Sequence, residues 1–256
     1  ISFTQQDDAI AIIEQAITQS TETLKRIVAH NDGIQQTADE HNDARHFANT
    51  LFNTMRGGFY LNDYTIYTEA FAQHVRVFNT SLADKYQHLF AELPQTIQHE
   101  QLMLIVRKQN DAQLTRLALE YLPITFGRRH GDPSRPWNLF DIRVQDEQGK
   151  PIVSYQGNWR DIFQNWEALS LSYPLFINSI IVKFLNATTV DGYNPYRITN
   201  AGIDWEVIEP ENPWSNIGYW GDHQIIYLLK LLEISNKHTP ETLSTLLNER
   251  IFAFAN

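Results

Sequence analysis

Apolar residues recur at the helical interval through the first third of this chain, and that spacing fixes the fold class before anything else. Ile10, Ile13, Ile17, Leu24 and Ile27 mark a first helix, with Thr4 and Asp7 as a capping pair and Gly33 as the stop. Ala44, Ala48, Leu51, Phe52 and Met55 mark a second, closed by Gly57-Gly58. Phe71, Val75 and Phe78 predict a third, and a fourth runs from about Ser81 towards Leu93, where Pro94 interrupts it. Leu114, Leu117, Ala118 and Tyr121 form a further stripe that stops at Pro123. The plain reading of every stripe is core.

Strand signals are few. Residues 139–155 alternate around Gly149-Lys150 and predict a small hairpin. Helical patterns return at 159–171, 174–186 and 222–235, with a last helix from about Glu241. The connection from Ala187 to Gly221 is long, and its aromatic content argues against disorder. All six Trp (137, 159, 166, 205, 214 and 220) fall after residue 136, so the chain divides into a plainer helical part, 1–125, and a Trp-rich part, 126–256. The two are expected to form one continuous domain.

Composition narrows the function. The net charge of -10 lacks the basic surface that nucleic acid requires. No apolar run is long enough to span a bilayer; the longest begin near Ile225. Without cysteine there is neither disulfide, thiolate zinc site nor thiol nucleophile. That absence favours the cytoplasm and is compatible with the periplasm. Phosphate loops, nucleophile elbows and zincin motifs are missing, and His41 and His46 are five apart, off one helical face, so no metal and no cofactor is expected. The chain opens Ile1-Ser2-Phe3 with no initiator Met, and the expectation is a piece of a longer protein.

Two stretches carry chemistry. In Trp159–Trp166, the side chains of Arg160, Asp161, Gln164 and Asn165 sit at i, i+1, i+4 and i+5, beside two indoles. Sugar rings are held by such a mixture, with amides, carboxylate and guanidinium for hydroxyl pairs and aromatic faces for C–H surfaces. A buried structural network uses the same residues, and both readings stand. Further on come Asp191–Arg197, then Gly202–Glu206, then Gly218–Gln224. Asp204 and Glu206 flank Trp205, the setting in which one carboxyl is kept protonated and the other ionised for glycoside cleavage. The same pair also fits a solvated loop. Asp222 fits a helix N-cap, and Arg128, Arg129, His130 and Arg135 form a local basic run suited to a phosphate or to solvent.

The segment Trp159-Arg160-Asp161-Ile-Phe-Gln164-Asn165 resembles the Arg-Asp-x-x-Gln-Asp signature of cellobiose-phosphorylase-like enzymes, which fold as an (α/α)6 toroid of six helical hairpins. The aromatic loop from Tyr193 to Arg197 and a helix opening at Asp222 are similar to segments downstream of that signature in the family. Gly202-Ile-Asp-Trp-Glu206 resembles the Trp-Glu-Glu element of glucoamylases, a related toroid. The departures are Asn165 in place of Asp, Val207 in place of a second Glu, and no downstream Trp-Asn-Asp-Gly segment. Twelve toroid helices need more residues than these.

The resemblance implies an all-α, incomplete toroid with a small β element, acting on an oligosaccharide as a glycoside hydrolase. Glu206 would donate the proton, supported by Asp204. Trp159, Arg160, Asp161, Gln164, Tyr193, Arg197, Trp205, Asp222 and His223 would hold the sugar. Two alternatives remain open: a non-catalytic helical module that binds glycan or packs against a larger parent chain, and an inverting phosphorylase taking phosphate through Arg128, Arg129 or Arg135.

Overall fold

The computed structural model describes residues 9–125, 153, 156–199, 202–205, 210, 211 and 224–254. Among these the chain is predominantly helical, with three small antiparallel sheets. The expected hairpin at 139–155 lies outside the described residues, apart from Val153. Two compact units divide between Thr54 and Met55.

The first unit contains helix α1 (Ala9–His30) and most of helix α2 (Glu40–Gly57). Its periodicity is helical as expected, but the stripe on α1 is not core. Ile10 is 75 % exposed and Ile17 61 %, and Ile13 and Leu24 are also exposed; only Ile27 and Val28 are buried. On α2, Phe52 and Met55 are exposed, and the packed positions are Thr50, Thr54 and Gly57. Small side chains win there because the approach is close. A Cβ on Gly33 would lie 2.5 Å from Val28 Cγ1 and 2.8 Å from Thr50 Cγ2. Gly33 is therefore needed for space, while the left-handed residue of the turn is Asp32 (φ 57°).

In the second unit, strands β1 (Phe59–Tyr60) and β2 (Thr65–Tyr67) precede helices α3 (Thr68–Phe78), α4 (Thr80–Lys85) and α5 (Gln87–Glu92). The single helix expected from Ser81 to Leu93 is thus two, broken at Tyr86. Strand β3 (Thr96–Gln98) pairs with β2 and leads into helix α6 (His99–Lys108), an element beyond the sequence expectations. Helix α7 (Ala112–Glu120) is N-capped by Asp111, whose carboxylate accepts from the Gln113 and Leu114 amides. Strand β4 (Ile124–Thr125) returns to β1. Phe71, Val75, Leu102, Val106, Leu114, Leu117 and Ala118 from these helices form one hydrophobic core.

A second core gathers around helices α8 (Trp159–Ser172), α9 (Ile177–Asn186) and α10 (Gln224–His238), with Trp166, Tyr173, Phe176, Ile180 and Ile181 fully buried. A 3-10 turn at Pro174–Phe176 links α8 to α9, and helix α11 (Pro240–Leu247) closes the order. Helix α9 is buried along nearly its whole circumference, polar residues included, so it is central: Ile177, Ile180, Ile181 and Phe184 serve one core and Val182 the other. Its Lys183 is buried with them.

The end of α2 meets α8 at glycine. A Cβ on Gly57 would stand 2.7 Å from the Leu169 amide nitrogen and 2.9 Å from the Asn165 carbonyl oxygen. Both atoms are backbone, so neither can swing aside. Gly57→Ala is expected to destabilise the protein by about 1–3 kcal/mol, the usual range for overpacking, read as a lower urea midpoint at unchanged slope. An unchanged midpoint would mean that the crossing is looser than these distances imply.

Candidate functional site

A three-stranded sheet brings the two chemistry-bearing stretches together. Strand β5 (Gln156–Asn158) runs directly into α8, strand β6 (Arg197–Thr199) follows the aromatic loop, and strand β7 (Gly202–Asp204) precedes Trp205. Asn158 lies opposite Arg197, and Arg197 opposite Asp204. The start of α8, with Trp159, Arg160, Asp161 and Gln164, is thus set beside the 193–205 loop, although nearly forty residues of chain separate them. Ile198 anchors the sheet, fully buried in the second core, and the partly buried Ile203 packs there too. By strand alternation Arg197 and Thr199 take the opposite face.

Arg197 and Asp204 form a cross-strand ion pair. The guanidinium donates through Nε to Asp204 Oδ2 at 2.7 Å, and Nη2 engages the same oxygen. Both side chains are partly exposed, so the pair fixes side-chain geometry more than it stabilises the fold. Tyr193 and Trp205 stack nearby, with centroids 6.1 Å apart and planes at 20°. The Tyr196 amide donates to the Asp204 carbonyl oxygen at 2.9 Å, which closes the loop against β7.

The loop is tied together by Thr188 and Thr189, which sequence reasoning does not single out, acting on Asp191, Tyr193 and Asn194 of the aromatic stretch. Thr189 Oγ1 accepts from the Tyr193 amide at 2.9 Å and bonds the Asp191 carboxylate. That hydroxyl holds Asp191 below the usual carboxylate range. Asn194 is buried and accepts from Thr188 Oγ1 at 3.2 Å. A Thr-Thr-x-Asp run before the aromatic loop is the local signal that marks this turn.

Other expectations resolve differently. Asn165 is buried and its amide donates to the Arg56 backbone carbonyl, tying α8 to the end of α2. Trp166 belongs to the core and offers no face to a ligand. For Trp159, Arg160, Asp161 and Gln164 the backbone is described within α8 and the side chains lie outside the description. Glu206, Asp222 and His223, together with Arg128, Arg129, His130 and Arg135, lie outside the described residues. His46 Nε2 pairs with the Asp32 carbonyl oxygen at 2.7 Å, a turn contact within the first unit. Among the described residues no group of three His, Asp or Glu is arranged to hold a metal ion. Nor is any described helix long and apolar enough to cross a membrane.

Residues 60–123 match glycoside hydrolase family 149 insertion domain 1. The protein is related to glycoside hydrolases over that segment, a quarter of the chain. No curated protein matches it. The matched segment coincides with a structural piece: it runs from Tyr60 in β1 to Pro123 beyond α7 and supplies most of the first hydrophobic core of the second unit. Each of the residues expected to bind sugar or perform catalysis falls after it.

Proposed function

We propose that this chain is part of a carbohydrate-active protein of the glycoside hydrolase type, and that it holds an oligosaccharide at the β5–β6–β7 sheet. The family match over residues 60–123 carries this reading. The sheet supports it by placing Arg197, Asp204, Tyr193 and Trp205 next to the start of α8. One ring face would rest on the Tyr193–Trp205 pair while hydroxyls exchange hydrogen bonds with Asp204, Arg197, Arg160, Asp161 and Gln164. Trp159, Asp222 and His223 would complete the pocket, and Glu206, one residue beyond Trp205, would donate the proton. The (α/α)6 toroid, the division at 125/126, the larger parent chain and a cytoplasmic location belong to the same reading.

A second reading is favoured by the character of the match, which is to an insertion domain. On it, the helical part packs against the rest of a larger protein and performs no chemistry. The phosphorolytic version keeps the sugar site and adds phosphate at Arg128, Arg129 or Arg135.

Tryptophan fluorescence separates these. Titration with a panel of oligosaccharides is expected to give a saturable change, and Arg197→Ala should weaken it by about tenfold or more, the effect of removing one charged hydrogen-bonding anchor. A flat response across the panel would support the packing module. Glu206→Gln should abolish turnover by the parent protein while leaving binding intact; full retained activity removes Glu206 from the proton-donor role. Turnover independent of added phosphate excludes phosphorolysis.

A further inference from the structure

Helix α9 is buried on every side, yet it carries Lys183, only 3 % exposed. The Lys183 ammonium sits 4.8 Å from the centroid of the Phe78 ring. No hydrogen-bond acceptor and no carboxylate partner reaches it among the described residues. Glu120, 5 % exposed, is the carboxylate whose field favours the charged amine, but it is already committed. It accepts from Arg116 Nη1 at 3.0 Å and from Asn186 Nδ2 at 2.7 Å. Arg116 therefore answers Glu120, and among the described residues Lys183 is left as one buried positive charge in excess.

That charge lines a cavity of about 270 Å³ bounded by α3, α7, α9, the 121–123 segment, Val153 and the end of β6. Gln73, His74, Glu120, Tyr121 and Thr199 share the lining, and Ala70, Val77, Leu122 and Pro123 make it otherwise apolar. His74 Nε2 is buried there without a hydrogen-bond partner. Burial pushes the Lys183 ammonium down from its ordinary range, with Glu120 opposing and Arg116 reinforcing the shift. Water in the cavity would satisfy hydrogen bonds but would bring no negative charge.

We propose that this cavity is a binding site for a small oxyanion of the hydrogen-phosphate class, with Lys183 Nζ supplying the countercharge and His74 Nε2 a second hydrogen bond. Hydrogen phosphate suits either tautomer of the imidazole, since it offers an oxygen that accepts and a hydroxyl that donates. The volume leaves room beyond the anion, so inorganic phosphate and a small phosphate monoester share the required chemistry. The site joins the family-matched segment, which supplies His74 and Glu120, to helix α9, which supplies Lys183. It shares Thr199 with strand β6, but none of its charged groups belongs to the β5–β6–β7 site, so it does not rest on the oligosaccharide reading.

The test is thermal unfolding of the full chain in sodium phosphate, in glycerol phosphate and in sodium chloride at matched ionic strength. Phosphate or the monoester is expected to raise the midpoint by a few degrees over chloride, the larger rise identifying the better ligand. Lys183→Met, which keeps length and removes charge, should abolish the rise and bring its chloride midpoint above that of the wild type. His74→Phe, judged by the broadening of the phosphate 31P resonance, should lower affinity about tenfold, the effect of one lost hydrogen bond. Equal midpoints in all three salts overturn the site. So does a phosphate response that persists undiminished in Lys183→Met, which would instead place the anion on the Arg128–Arg135 run.

Discussion

Between pH 6.5 and about 4 the protein is expected to lose stability at up to roughly 3 kcal/mol per pH unit, the effect of two histidines that titrate only when the fold opens. His99 is buried against Phe176, with ring centroids 4.5 Å apart, and desolvation lowers its pKa to about 4. His74 is lowered to about 3, first by burial and then by Lys183. In the unfolded chain both return to the ordinary value of about 6.5. Below that pH the unfolded state takes up two protons that the folded state refuses, so stability falls as pH falls until the folded pKa values are reached. Above pH 6.5 neither group contributes a slope. At Asp111 burial pushes the carboxyl up, but hydrogen bonds from Lys85 and the Leu114 amide outweigh it and hold the group below its ordinary range. Its contribution is fully present above about pH 5 and is lost as pH falls further, so it adds to the loss only at the acid end of the window. Urea midpoints in chloride buffers at pH 7.5, 6 and 5 measure the slope, and His99→Phe should roughly halve it. A midpoint that stays flat from pH 7 to pH 5 would mean that both rings are hydrated in the native state.

Trp166→Ala is expected to cost about 3–5 kcal/mol, enough to leave little folded protein. The indole is fully buried among Ile162, Leu169, Tyr173 and Phe176, so its removal forfeits contacts on all sides and leaves a void that the surrounding helices cannot fill. Leu171, on the same helix but exposed, is the control: Leu171→Ala should stay within about 0.5 kcal/mol of the parent. Comparable losses in the two variants would contradict the burial pattern of α8. The milder Trp166→Phe separates structure from binding. It should retain the fold and leave the oligosaccharide-induced emission change in place, because Trp166 faces the core and not the Tyr193–Trp205 surface.

The helices of the second unit are largely legible in the sequence. Phe71, Val75, Leu114, Leu117 and Ala118 repeat at helical spacing and are buried as that spacing requires. Pro94 and Pro123 fall just beyond the elements they are expected to end. The same rule misleads on α1, where Ile10, Ile13 and Ile17 have equally good periodicity and remain exposed. Periodicity reports that a helix has an apolar face. It carries no information about whether another element covers that face. Strands β6 and β7 hide within an irregular connection because three residues are too few to display alternation.

At the candidate site, residue types are visible in the sequence and partnerships are not. Arg197 and Asp204 both stand out, one as a sugar ligand and the other as a catalytic assistant. Their mutual ion pair depends on a two-strand register that residue identity alone does not specify. Asn165 falls in the hydrogen-bonding row of α8, yet its partner is a carbonyl at Arg56, more than a hundred residues away. Lys183 draws no notice within Ile-Ile-Val-Lys-Phe-Leu, because a single lysine in an apolar helix ordinarily reaches solvent.

The sequence by itself determined the helical class, the positions of many helix ends and the residue types available for binding sugar. These are local properties, set by spacing, capping and the backbone limits of Gly and Pro. Only the tertiary structure decided which apolar faces are core, that Gly33 and Gly57 are there for close approach, and that α8 begins beside the 193–205 loop. It also decided that Lys183 is enclosed, with no hydrogen-bond acceptor reaching its ammonium among the described residues. Those outcomes depend on which distant segments meet, and the free energy of such meetings resides in burial and in charge pairing across the fold.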